Sequence, residues 1–198
     1  MLTLDHVSFA YGNKQVLKDL SFEIKQGERV ALMGESGCGK TTVLNLVAGL
    51  LKPDDGVMTC KATQISYVFQ EPRLFPWLTV KENVLAVLSD QKEEKDANEK
   101  KVTEALVAVG LADAADLFPA ELSGGMKTRA SLARALAHGG DLFLLDEPFS
   151  ALDNQTRAEL SAYLLDYFEK NQTTVLLVTH QKEDATTLAS KTVELPSL

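Results

Sequence analysis

Nine residues constrain this chain more than any other stretch: Gly34-Glu35-Ser36-Gly37-Cys38-Gly39-Lys40-Thr41-Thr42. They follow the pattern of a glycine, four residues, then Gly-Lys-Thr. A short apolar run, Val30 to Met33, precedes them and reads as a strand buried on both faces. After them Val43, Leu44, Leu46, Val47, Leu50 and Leu51 recur at helical spacing, with the helix ending near Gly49. Strand, glycine-rich loop and helix together form a phosphate cradle. Glycines let the backbone curl close to phosphate oxygens, and the helix start offers free N–H groups and the positive end of its dipole. Lys40 adds a mobile charge for the β- and γ-phosphates of a triphosphate, and the Thr41 hydroxyl is a ligand for the Mg²⁺ that travels with ATP.

The rest of the chain supplies the sheet this loop needs. Leu142 to Leu145 and Thr174 to Val178 are two more buried strands, the first capped by Asp146-Glu147-Pro148 and the second by Thr179-His180. A helix from about Asn154 to Glu169 lies between them, and a short helix and a strand near Thr192 to Leu195 finish the chain. Apolar strands alternating with helices predict an α/β fold with a parallel core sheet, whose ligands lie at the carboxyl ends of the strands. That topology brings the phosphate loop, Asp146-Glu147 and His180 together. Upstream, Leu2, Leu4, Val7 and Phe9 lead to a turn at Tyr11-Gly12-Asn13. Leu20, Phe22 and Ile24 then alternate with polar residues, predicting antiparallel strands with one wet face. Lys52 to Gly56 reads as a turn, and Ile65 to Phe69 as a strand followed at once by Gln70.

Between Glu71 and Leu136 the pattern becomes mainly helical. Val84, Leu85, Val87 and Leu88 suggest one helix, and Val102, Leu106 and Val109 a second that ends at Gly110. The mixed charges of Ser89 to Lys101 read as a solvated loop running into a helix face. The expectation is one domain over 1–198. Residues 1–70 and 137–198 form an ATP-binding core with an antiparallel part, and 71–136 form an inserted helical subdomain. The net charge of −8 argues against broad binding to nucleic acid or anionic lipid. Two cysteines make no disulfide framework and read as reduced thiols. No N-terminal signal is expected, and no apolar run approaches the roughly 18 residues of a membrane span.

Each strand end carries chemistry. Asp146 is placed to hold Mg²⁺, directly or through water, and Glu147 beside it to accept a proton from, or orient, the attacking water. Leu122-Ser123-Gly124-Gly125-Met126 opens another helix, with Ser123 the expected N-cap, and makes a second anion-binding helix start. One ATP needs only one such start. A head-to-tail pair of chains, with each ATP between Lys40 of one copy and Ser123 to Gly125 of the other, uses both.

Taken in order, the phosphate loop, Gln70, Leu122-Ser123-Gly124-Gly125, Asp146-Glu147, Ser150-Ala151-Leu152-Asp153 and His180 resemble the ATP-binding cassette (ABC) family, the motor subunits of ABC transporters. The match covers essentially the whole chain. The resemblance implies a P-loop NTPase fold and catalytic roles for Glu147, His180, Lys40 and Gln70. It implies nucleotide contacts from Tyr11, which would stack on adenine, from Val16, and from the whole loop Gly34, Glu35, Ser36, Gly37, Cys38, Gly39, Lys40, Thr41 and Thr42. Across the pair Ser123, Gly124 and Gly125 would close the site, and Thr41, Gln70 and Asp146 would hold Mg²⁺. Ser150 to Asp153 would link the two sites. A plain core tyrosine is the other reading of Tyr11. His6 and His138 match no motif and read as structural.

The family's signature usually has glutamine where Met126 and Thr128 stand, which leaves the contacts across the pair open. The stretches Phe69 to Val80 and Glu147 to Asp153 look like bacterial importers of the nitrate, sulfonate and taurine type. That implies a transmembrane permease, an extracytoplasmic solute-binding protein, no nucleic acid partner, and a peripheral place on the cytoplasmic face of the inner membrane. An exporter or mechanical-signalling ATPase, or a soluble non-transport relative, stays open as an alternative. Phe75, Pro76, Trp77 and Leu78 either line a groove for a permease helix or, for Trp77, anchor the helical subdomain.

Overall fold

The structure, a computed structural model, describes residues 1–88 and 95–196. In chain order the elements are β1 (Leu2–Tyr11), β2 (Lys14–Ile24), β3 (Arg29–Met33), α1 (Lys40–Val47), β4 (Asp55–Cys60), β5 (Ile65–Val68), α2 (Val80–Ala86) and α3 (Lys95–Ala108). They continue with α4 (Gly124–His138), β6 (Leu142–Asp146), α5 (Asn154–Lys170), β7 (Thr174–Val178), α6 (Lys182–Leu188) and β8 (Lys191–Glu194). Of the polar stretch Ser89 to Lys101, the first six residues, 89–94, lie outside the described residues, and Lys95 onward is helical.

Two compact units emerge. The first comprises the described residues of Met1–Tyr67, Gly140–Glu147 and Leu164–Leu198. Its larger sheet runs β5-β6-β7-β3-β8, with β3 parallel to β7 and β8, and β6 parallel to β7. β6 and β7 are buried at every position, which is why their sequences are continuous apolar runs without alternation. Each fully buried leucine here contributes about 1.5–3 kcal/mol of hydrophobic stabilisation. α1 packs its Val43, Leu44, Leu46 and Val47 into the same core as Val30, Leu32, Leu144 and Leu176. Between β6 and α5, Phe143, Tyr167 and Phe168 meet edge to face, with centroids 5.2 to 5.9 Å apart.

The smaller sheet of this unit is antiparallel, in the order β2-β1-β4. The β1–β2 hairpin turns at Gly12-Asn13, as its alternation and turn residues predict. β4 corrects the sequence reading. Asp55 and Gly56, read as the end of a turn, open a strand that pairs with β1 from Leu2↔Cys60 to Ser8↔Asp55. Most of β4 faces solvent, so it carries no apolar alternation; its partner, not its own sequence, makes it a strand.

The second unit comprises the described residues of Val68–Gly139 and Pro148–Tyr163. In it α2, α3 and α4 pack on one another. A capping box starts α2: the Glu82 N–H donates to Thr79 Oγ1, and the Thr79 N–H donates to Glu82 Oε2. Arg129 of α4 donates to the carbonyls of Val109 and Gly110, which the end of α3 leaves without helical partners.

Candidate active site

Gly39 is the N-cap of α1, at φ 104° and ψ 10°, a conformation that glycine adopts without a Cβ penalty. A Cβ there would stand 2.8 Å from Leu17 Cδ2 and 2.9 Å from Val16 Cγ1, so the loop lies flush on β2. No side chain caps this helix start. Glu35, Ser36 and Gly37 are exposed along the loop, while Cys38 and Thr42 are buried. Lys40 is only 9% exposed, and its ammonium donates to the carbonyls of Gly34 (2.8 Å) and Glu35 (2.7 Å), with Cys38 Sγ at 3.8 Å. The cation is thus folded back over the loop that it serves.

Thr41 Oγ1 donates to Asp146 Oδ2 at 2.7 Å. Asp146 is 2% exposed, and its other oxygen, Oδ1, is buried without a hydrogen-bond partner. Burial pushes this carboxyl above its ordinary value; the Thr41 hydroxyl draws it back, the Glu147 charge raises it again and Lys40 lowers it. A buried acceptor left unsatisfied costs about 1–3 kcal/mol. An oxygen pair of hydroxyl and carboxylate with one lone acceptor fits a hard divalent cation such as Mg²⁺. Among the described residues no group of three or more His, Cys, Asp or Glu is arranged to hold a metal. That suits Mg²⁺, which takes one or two protein ligands and completes its shell with phosphates and water.

Glu147 sits at φ 49°, left-handed for a residue with a Cβ, a strain of about 1–3 kcal/mol. Two contacts hold it. Its N–H donates to Val178 O at 2.9 Å, and Oε2 lies 2.7 Å from His180 Nδ1. The acid side chain is 13% exposed and the imidazole 61%, so the pair spans the surface of the site. The end of β7 that presents His180 is itself fixed: Thr179 Oγ1 donates to Asp184 Oδ2 (3.2 Å) and accepts the Gln181 N–H (3.1 Å). Sequence reasoning missed Thr179 and Asp184, because an acid in the polar start of α6 looks solvated, yet Asp184 is 4% exposed.

Lys40, Thr41, Asp146, Glu147 and His180 therefore share one unit, and the charges of Lys40 and Glu147 both act on Asp146. Tyr11, also in that unit, is 51% exposed and meets Phe9 edge-on at 4.9 Å, which rules out the core-tyrosine reading. Gln70, Ser123, Gly124 and Gly125 belong to the second unit. There Gln70 is exposed just beyond β5. Ser123 Oγ accepts the Met126 N–H at 3.2 Å, the N-cap that the sequence predicts. Gly124 is exposed, and a Cβ on Gly125 would press to 3.1 Å from Ala151 O. Met126 offers its main chain to that cap, while Thr128 is buried within α4. Trp77 is 70% exposed and lies beside Phe75, centroids 5.6 Å apart, so it is not a core anchor.

Comparison with known proteins agrees with these motifs. The ABC transporter family matches residues 17–150. The bicarbonate transport ATP-binding protein CmpC of Synechococcus elongatus is 46% identical over 197 residues; 93% of this chain aligns, and it spans 29% of the length of that relative. The aliphatic sulfonates import ATP-binding protein SsuB of Mycobacterium avium is 45% identical, over 97% of this chain and 76% of its own. Among solved structures, the dimeric bacterial ABC transporter cassette MJ0796 superposes with a TM-score of 0.91 at 32% identity, covering 98% of this chain and 94% of the other. A post-hydrolysis state of the same cassette, bound to ADP and Pi, gives 0.88. With the family matched across the phosphate loop, the signature turn and the acidic strand end, and with relatives of this identity and coverage, the chain belongs to the ABC transporter family.

Proposed function

We propose that the chain is the ATP-hydrolysing subunit of a membrane import system and works as a head-to-tail pair. The observation that carries this reading is the joint placement of the Lys40 ammonium, the Thr41–Asp146 pair and the Glu147–His180 pair around one loop. ATP would lay its phosphates along the loop N–H groups, with Tyr11 against adenine and Val16 beside the nucleoside. Lys40 then exchanges its carbonyl partners for phosphate oxygens. Thr41, Asp146 and Gln70 would hold Mg²⁺, which supplies charge neutralisation on the phosphates. Glu147 accepts the proton of the attacking water at its carboxylate, and His180 Nδ1 fixes the orientation of that carboxylate while the exposed ring reaches toward the γ-phosphate.

Ser123, Gly124 and Gly125 of the second copy would close the site from the other side, and Ser150 to Asp153 would connect the two sites. The apolar Phe75–Trp77 surface suits a short permease helix. Among the described residues no helix is long and apolar enough to cross a membrane. Attachment to the cytoplasmic face of the inner membrane would come through the permease partner. The names of relatives that import nitrate and aliphatic sulfonates favour import, and an extracytoplasmic solute-binding protein would deliver the solute.

The test is Glu147→Gln. It should keep ATP binding, lower hydrolysis by about 10²–10⁴-fold, and trap an ATP-dependent dimer visible by light scattering after size exclusion. Hydrolysis at the parent rate would remove Glu147 as the base, and a parent chain that fails to bind ATP would overturn the reading as a whole.

A further inference from the structure

The segment after Gln70 has little regular structure, yet side chains from two helices hold it at two points and one of its own side chains at a third. Asn83 of α2 is wholly buried. Its Oδ1 accepts the Phe75 N–H at 2.8 Å, and its Nδ2 lies 3.0 to 3.1 Å from the carbonyls of Phe75, Leu78 and Thr79. An amide that bonds both main-chain groups of one residue mimics a strand partner. The second point is Arg134, three turns along α4. It donates to Arg73 O at 2.8 Å, and its guanidinium lies 5.7 Å from the Phe75 ring centroid. This is a partly buried cation, with burial drawing its pKa down. The third is Arg73 itself, at φ 45°, whose guanidinium covers the Phe69 ring at 4.1 Å. Phe69, Arg73 and Phe75 bracket Gln70 and carry the exposed Trp77.

We infer that Arg134 is a positioning residue that fastens the Arg73–Leu78 loop to the helix that begins at the Ser123 turn, and that Asn83 fastens the same loop to α2, which packs on that helix, so that turn and aromatic loop move as one piece. All of these residues lie in the second unit, and every contact named is within it. The tether is a property of that unit. Its use, passing displacement of the Ser123 turn to Trp77 when ATP is engaged, rests on the function proposed above.

The sequence contains one tryptophan, so fluorescence excited beyond the tyrosine absorption band reports on Trp77 alone. Arg134→Met keeps an apolar stem and removes both the donor and the cation. Arg129→Met, on the same helix but bonded to α3, is the control for general loosening. In the nucleotide-free chain, time-resolved anisotropy should show a slow Trp77 in the parent and in Arg129→Met. In Arg134→Met, and in Asn83→Ala if it folds, the amplitude of the fast component should at least about double. Equal decays in Arg134→Met and the parent, or equal loosening by Arg129→Met, would overturn the tether whatever the nucleotide does. In a Glu147→Gln background, ATP should shift Trp77 emission, and Arg134→Met should lose that shift at unchanged ATP affinity. A retained shift, or none in the Glu147→Gln chain that binds ATP, would overturn the coupling. Failure to bind ATP at all would strike the proposed function and leave the anisotropy result to decide the tether.

Discussion

At the scale of single residues, Asp146 carries a conflict: one oxygen is bonded to Thr41, the other buried with no partner. Its carboxyl is held above the ordinary value, chiefly by burial. An acid whose folded pKa is raised binds its proton more tightly folded than unfolded. Its effect on stability therefore turns unfavourable as pH rises from the unfolded value through the folded one, and stays so above. Asp146→Asn should raise the melting temperature of the nucleotide-free chain at neutral pH and abolish Mg²⁺-dependent hydrolysis. A lower melting temperature would mean that the unpartnered oxygen carries no cost. Asp146, Lys40 and Glu147 were legible in the sequence because their spacing is tied to a strand end and a loop. Asn83 and Arg134 were not. Each sits among apolar helix residues, and what makes it matter is a main-chain group on a loop distant in sequence, which no local pattern reveals.

Among the elements, the β1–β2 hairpin is the least regular, with register shifts between Leu4 and Val7, Val7 and Phe9, and Phe9 and Ala10. His6 (φ 53°) and Asp19 (φ 55°) face each other at these irregularities. The His6 N–H goes to Ser21 Oγ and the Asp19 N–H to Ser8 Oγ, so side chains replace the missing ladder bonds. Gly56 of β4 crosses here, and a Cβ on it would collide with His6 O at 2.3 Å. The hydrogen bond and charge of Asp19, with help from Asp5, raise the His6 pKa. The contribution is therefore complete below the unfolded value of about 6.5 and disappears as pH rises through the folded value. The melting-temperature gap between the parent and His6→Asn should shrink as pH is raised from about 5 to about 8, and a gap independent of pH would contradict the pairing. Elements with a local signature could be read in advance: the alternation at Leu20, Phe22 and Ile24, and the apolar runs of β3, β6 and β7. β4 could not, and α1 starts at Lys40, ahead of the apolar spacing at Val43, because the loop glycines rather than hydrophobic residues set its first turn.

For the whole molecule, stability of the first unit centres on the parallel sheet, where Leu144 is fully buried and pairs beside Leu176. Leu144→Ala should cost about 2–5 kcal/mol, read as a lower urea midpoint. For a chain of this size that corresponds to about 2–4 °C of melting temperature per kcal/mol. Loss well under 1 kcal/mol would place the core elsewhere. The same rigid sheet gives the Lys40 contacts a further consequence. Because two loop carbonyls already hold the ammonium, the loop arrives at its ligand with backbone and charge in place. Capture of a phosphate chain then exchanges one set of polar partners for another and folds nothing. Calorimetric titration at several temperatures should return a heat-capacity change far short of that for coupled folding, which buries about 1,000–3,000 Å². In that sense the loop behaves as a mould, and its binding enthalpy should vary little with temperature.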